Sequence, residues 1–114
     1  MNGIYTRTIT IFDDKFGEAV EIVKGLQEIR KKYYPDHIVN FSVHIGGNPR
    51  SIRETVIGEH FTDSSFDRDN KMSADPKFVE LTKKMKGVFK EGTMKDEFRA
   101  ILEWEVYWEI ILYW

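Results

Sequence analysis

The chain has 114 residues with 17 Lys+Arg against 19 Asp+Glu, which limits it to one domain and argues against a phosphate-backbone binder, for which a basic excess or stripe is needed. Apolar residues make up 41% and aromatics 14%, enough for a core and incompatible with wholesale disorder. Cysteine is absent, which excludes disulfides, thiolate metal sites and a cysteine nucleophile. The opening residues 1–7 carry no basic stretch followed by an apolar run, so the expectation is a soluble, cytoplasmic protein without a signal peptide.

Residues 4–12 are rich in β-branched side chains (Ile4, Thr6, Thr8, Ile9, Thr10, Ile11), which predicts a strand, and Asp13-Asp14 then offers a helix N-cap. From Lys15 the period changes to three-to-four. Phe16, Val20, Val23, Leu26 and Arg30, widened by Ile22, Ile29 and Tyr33, predict an amphipathic helix that ends near Tyr34, before Pro35. Residues 39–45 alternate, with Val39, Phe41, Val43 and Ile45 on one face and Asn40, Ser42 and His44 on the other.

Gly46-Gly47-Asn48-Pro49 is a dense turn signal, and residues 52–61 make the second strand of a hairpin. Pairing Ile45 with Ile52 sets Phe41 opposite Val56, Ser42 beside Thr55 and His44 opposite Arg53. A one-residue slip would mix the faces. In this register Glu54 and His60 lie on the face of Val39, Phe41 and Val43, which should meet the helices.

Thr62 or Asp63 caps a short helix through Phe66 and Met72, and Asp75-Pro76 opens another with Phe78, Leu81 and Met85 inward. Gly87 and Gly92 bracket a loop. From Phe98 onward every even position is apolar, ending with Trp104, Val106, Trp108, Ile110, Leu112 and Trp114. Only a strand explains that period, and at about twice the usual strand length it is expected to be bent at a bulge or covered by another subunit. The order β-α-β-β-α-β is the ferredoxin-like α+β arrangement, an antiparallel sheet with helices on one face. Residues 1–102 form the domain, and residues 103–114 form an aromatic strand extension expected at an interface.

Four segments carry a family resemblance: Ile-Tyr-Thr-Arg-Thr in strand one, Val-His-Ile-Gly-Gly-Asn-Pro at the hairpin, Ser-Ala-Asp-Pro-Lys-Phe before the last helix, and Phe-Lys-Glu-Gly-Thr-Met-Lys-Asp-Glu-Phe leading into strand four. Over residues 4–102 the chain resembles the dimeric α+β barrel superfamily, and within it the NIPSNAP-like and antibiotic-biosynthesis-monooxygenase-like proteins. The resemblance implies a homodimer of two facing sheets. It also implies a pocket between sheet and helices for a hydrophobic or aromatic small molecule, with no bound cofactor. Members include cofactor-independent monooxygenases, haem-degrading enzymes, cyclases and isomerases. Those with oxygen chemistry tend to use an Asn on strand one, a Trp near the pocket and a His or Tyr. Here Asn2 precedes the expected strand and no Trp occurs before Trp104.

Glu54 and His60 are the catalytic candidates. A buried Glu54 would favour its neutral form, as a general acid or base needs, or it would pair with a Lys near the hairpin end. His60 lies roughly 20 Å along the strand, too far for a direct dyad; alone it would move protons, or bond to a loop. Tyr5 and Arg7 share a face of strand one, where Arg7 would orient a ligand or pair with an acid such as Glu97. Phe41 and Val43 are the apolar ligand-binding candidates. His44 and Arg53, in line with Ser42 and Asn40, would line an interface or knit two sheets together, and Trp104 and Trp108 would anchor it.

Three histidines at these separations make no metal set, and the acids beside the tryptophans argue against stacked nucleic-acid bases. The tail is too short and acidic to span a membrane. The expectation is therefore a homodimeric small-molecule-binding barrel, either a cofactor-independent monooxygenase, cyclase or isomerase, or a non-catalytic assembly or ligand-binding module.

Overall fold

The β-branched opening segment forms β1 (Asn2–Thr10) in a computed structural model that describes residues 2–46 and 50–102. A 3-10 turn (Asp13–Lys15) leads into α1 (Phe16–Tyr33), followed by β2 (Ile38–Val43), β3 (Ser51–Glu59), α2 (Asp63–Ala74), α3 (Pro76–Lys84) and β4 (Lys95–Ala100). The strands form one antiparallel sheet in the order β2-β3-β1-β4. This is the ferredoxin-like α+β fold, with the helix between β1 and β2 and the helix pair between β3 and β4.

The helices cover the sheet face that carries Tyr5, Arg7 and Ile9 of β1. There Ile11, Ile52, Ala19, Ile22, Val88 and Phe89 form one buried cluster, flanked by Phe16, Phe41, Val43 and Met85. A second cluster, Ile29, Tyr34, Met72 and Leu81, joins α1 to α2 and α3. Alternation sends Ile4, Thr6, Thr8, Asn40, Ser42, Arg53 and Thr55 to the opposite, uncovered face.

Local chemistry sets the helix limits. Thr62 and Ser65 make a reciprocal capping box at the start of α2. Asp75 is extended, accepts from the Lys77 backbone N–H at 2.9 Å and precedes Pro76 at the first position of α3. Gly87 and Gly92 take φ of 80° and 77°, left-handed conformations that favour glycine on either side of the loop.

The structure departs from the sequence expectations at several points. Asn2 does not precede strand one; it is the first residue of β1 and pairs with Glu59. Asp13 and Asp14 lie within the 3-10 turn, without a side-chain capping bond. The hairpin is shifted by two residues, pairing Val43 with Ile52, Phe41 with Glu54 and Ser42 with Arg53. Ile52 is fixed by its β1 partner Ile9, and Ile45 sits 87% exposed in the connection, so the loop is longer than expected. An even shift preserves the faces, but His44 no longer stands opposite Arg53; its N–H donates to the Ser51 carbonyl at 2.9 Å. In β4, Phe98 and Ala100 are half-buried between exposed neighbours, as the alternation requires. The proposed continuation through residues 103–114, with Trp104 and Trp108, lies outside the described residues.

Ile11 is fully buried where β1, α1 and the segment around Val88 and Phe89 converge. Ile11→Ala should therefore lower stability by about 2–5 kcal/mol, read as a reduced urea midpoint with an unchanged denaturant slope.

Candidate functional site

Gly3 of β1 and Gly58 of β3 are cross-strand partners and leave a floor without side chains on the helix-facing side of the sheet. A Cβ on Gly58 would overlap the His37 ring, and one on Gly3 would overlap the Phe98 ring. The two glycines therefore let both rings lie against the backbone. His37 comes from the α1–β2 connection, and its side chain is 4% exposed. One ring nitrogen lies 2.9 Å from the Glu59 carbonyl and the other 3.2 Å from the Asp36 carboxylate.

Beyond the floor, His60 stands edge-on to His37 at 5.7 Å and to Phe98 at 5.1 Å between ring centres. Phe61 packs edge-on to Phe98 at 4.9 Å. Phe61 reaches that position with φ of 60°, a left-handed conformation costing a non-glycine residue about 1 kcal/mol or more. Burial pushes the His60 imidazole below its ordinary proton affinity, opposed by a hydrogen bond with the Val56 backbone.

These groups border a cavity of about 440 Å³ between the sheet and α1, α2 and α3, whose wall also includes Tyr5, Arg7, Arg30, Tyr34, Phe66, Asp69 and Phe78. The Tyr34 hydroxyl donates to Asp69, and the Ser65 carbonyl lies 3.0 Å from the same oxygen. Burial and the Asp69 carboxylate push its phenol up. A larger groove of about 650 Å³ runs from the start of α1 to the end of α3, but five of its ten lining residues are the charged Lys15, Glu18, Glu21, Lys84 and Lys86, and among the described residues no ring faces it. The aromatic cavity is the better candidate for a small-molecule site.

Glu54 occupies the expected face and is 6% exposed, but it is not an isolated buried acid. The Arg30 Nε donates to one of its oxygens at 2.8 Å and Nη2 to the other at 3.1 Å, while Nη1 contacts the Met72 sulfur at 3.3 Å. Its partner is thus an arginine of α1 and not a lysine at the hairpin end. Arg7 binds Asp96, and not Glu97, through two bonds of 2.8 Å. Asp96 is its register partner across β1 and β4, whereas Glu97 faces Thr6 on the other side. The Arg7 guanidinium lies over the Tyr5 ring at 5.9 Å; burial raises the Tyr5 phenol's pKa, and Arg7 lowers that of the Asp96 carboxyl.

Of the residues singled out in the sequence, the cavity brings together Tyr5, Arg7 and His60. Phe41 and Val43 pack instead on the Ile11 cluster. His44 is exposed, and Arg53 donates to the Thr8 hydroxyl at 3.0 Å; both border a shallow hollow of about 290 Å³ with Ser42 and Ser51. The sequence reading missed Arg30, Tyr34, His37, Asp69 and Asp96. An arginine inside the apolar stripe of α1 was the available signal for the Glu54 pair. Among the described residues no group of three or more His, Asp or Glu is placed to hold a metal ion, and no helix is long and apolar enough to cross a membrane.

No family model matches the chain, and no curated protein matches it. Solved structures do. A NIPSNAP family protein of unknown function from Agrobacterium tumefaciens superposes with a TM-score of 0.73 at 13% identity, covering 90% of both chains. A candidate antibiotic biosynthesis monooxygenase from Caulobacter crescentus gives 0.65 at 13% identity, covering 90% of this chain and 92% of that one. A protein from Bacteroides fragilis described as dimeric, of unknown function and ferredoxin-like fold, gives 0.58 at 9% identity, covering 88% and 96%. The chain shares the fold of these proteins.

Glu54→Gln leaves the Arg30 guanidinium without its counter-charge and should cost about 3 kcal/mol in urea denaturation; Glu54→Leu combined with Arg30→Met should cost clearly less. Because His60 holds a proton less readily when folded, the unfolded chain binds more protons as pH falls through its ordinary value of 6.5. Stability present above that value is then lost down to the folded value. His60→Gln should flatten this part of the fall between pH 7.5 and 5.5, and equal slopes in both proteins would contradict it.

Proposed function

We propose that this chain is the subunit of a homodimeric α+β barrel that binds a small aromatic molecule in the cavity between sheet and helices, with His60 as the base that accepts a proton from it. The observation that carries this reading is the 440 Å³ cavity itself, walled by the rings of Tyr5, Tyr34, Phe61, Phe66, Phe78 and Phe98 with His60 among them. Its volume lies in the range of small-molecule sites, and a mostly apolar wall with a few polar groups is their usual composition. A desolvated imidazole is available in its neutral form, ready to take a proton.

Proton abstraction from an acidic O–H or C–H of an aromatic ligand is a starting step for cofactor-independent oxygenation, cyclisation or isomerisation. In this reading Glu54 has a different task from the one its burial suggests. Its carboxylate holds Arg30 in the cavity wall, and His60 handles the proton alone. The dimer is proposed to form through the uncovered sheet face, where Ile38 is 58% exposed and Thr6, Ser42 and Arg53 offer polar contacts. The fold shared with a protein described as dimeric supports a dimer.

Native mass spectrometry of freshly purified protein tests both parts. The expected species is a dimer carrying added small-molecule mass, and His60→Trp, which fills the cavity, should keep the dimer and lose that mass. Retention of the added mass in the variant would move the ligand out of this cavity, and a monomer at micromolar concentration would remove the barrel.

A further inference from the structure

Resting on the reading of this cavity as an aromatic site, we propose that its ligand is uncharged, and that Asp96 enforces this selectivity by matching the charge of the Arg7 guanidinium. Arg7 and Arg30 are the arginines on the cavity wall, and a ligand carboxylate or phosphate would naturally seek them. Both are already paired with a carboxylate. Arg30 gives two N–H groups to Glu54 and turns its remaining nitrogen to the Met72 sulfur. An anion reaching it must displace a carboxylate whose side chain is 7% exposed, leaving that charge buried without its partner.

Arg7 gives Nε and Nη2 to Asp96 and lies over the Tyr5 ring at 5.9 Å. Arg68, which lies over the Tyr34 ring at 5.5 Å, is likewise taken, by Asp36. Asp69 adds a further carboxylate to the wall, so two wall guanidiniums face three carboxylates in Glu54, Asp69 and Asp96. An incoming anion meets opposing charge and guanidiniums whose own charges are already matched, whereas an uncharged ring bearing a hydroxyl meets ring edges and the His60 imidazole. Asp96 does not line the cavity itself; it acts through Arg7, as a residue that determines specificity.

The Arg7–Asp96 pair is the part of this arrangement that a single substitution can open, because both side chains are half-exposed, at 41% and 42%. Asp96→Asn keeps the shape and removes the charge that holds Arg7.

The test is a pair of probes of nearly equal shape, 1-naphthol and 1-naphthoate, titrated at neutral pH and followed by calorimetry and by the amide resonances of His60, Phe61 and Phe98. The wild-type protein should bind 1-naphthol about tenfold more tightly than 1-naphthoate, and Asp96→Asn should tighten 1-naphthoate about tenfold while leaving 1-naphthol nearly unchanged. Wild-type binding of 1-naphthoate as tight as that of 1-naphthol would overturn the proposal while leaving the aromatic site intact. An Asp96→Asn protein, folded by circular dichroism, with unchanged 1-naphthoate affinity would remove Asp96 from it. Were neither probe to shift the cavity resonances, the aromatic-site reading would fail and this inference with it. The wild-type comparison decides the ligand class even if the variant does not fold.

Discussion

The buried Arg30–Glu54 pair is the interaction on which the candidate site depends. Glu54 belongs to β3 in the middle of the sheet, Arg30 to the last turns of α1, and the third nitrogen of Arg30 reaches Met72 of α2. One side chain therefore ties three elements together at the inner end of the cavity. Replacing such a pair with apolar residues of similar volume often leaves stability unchanged or improved. Its value here is geometric: the carboxylate fixes the fork, and the fork fixes where α2 can sit against α1.

The second constraint works by subtraction. Gly3 and Gly58 face each other across two strands, and glycine inside a strand lowers its stability by removing a packing partner and adding chain freedom. The cavity recovers that cost locally, because the rings of His37 and Phe98 occupy the vacated space and His60 leans on both. The strained backbone at Phe61 belongs to the same construction. Glycine floor, ring cluster and left-handed turn together surround one imidazole, a concentration of unfavourable local choices of the kind found at functional sites.

The sequence pattern carries the fold well. Alternation and three-to-four spacing identify the strands and helices in order, and Thr62 and Asp75-Pro76 mark two helix starts that the structure repeats. The hairpin register is displaced by two residues because nothing within β2 and β3 alone distinguishes even shifts; packing does, since Phe41 and Val43 lie on the Ile11 cluster while Ile45 is left exposed, and that cluster gathers residues from far along the chain. The site is legible in part for the same reason. Tyr5, Arg7 and His60 reach the cavity through strand alternation, which is local, while His37 and Asp69 reach it, and Asp96 reaches Arg7, through connections and pairings that no short window contains. Arg30 is an intermediate case, visible as a charge in an apolar stripe but without a partner until the sheet is assembled.

Proteins sharing this fold at 13% identity or less place a limit on what its scaffold specifies. Cores accept many apolar combinations as long as pattern and volume are kept, so strand order and helix cover survive almost complete replacement of the sequence. Chemistry does not share that tolerance, since it depends on which side chains stand at a few cavity positions. In this chain those positions combine a desolvated imidazole with guanidinium groups whose charges are already matched. Such a wall has little Coulombic attraction to offer and much polarizable ring surface, so discrimination among ligands would fall to shape and to a single proton. That division also separates the two sheet faces. The covered face holds the ring cluster and its matched charges, and alternation keeps Thr6, Thr8, Thr55, Ser42 and Arg53 on the uncovered face, away from His60.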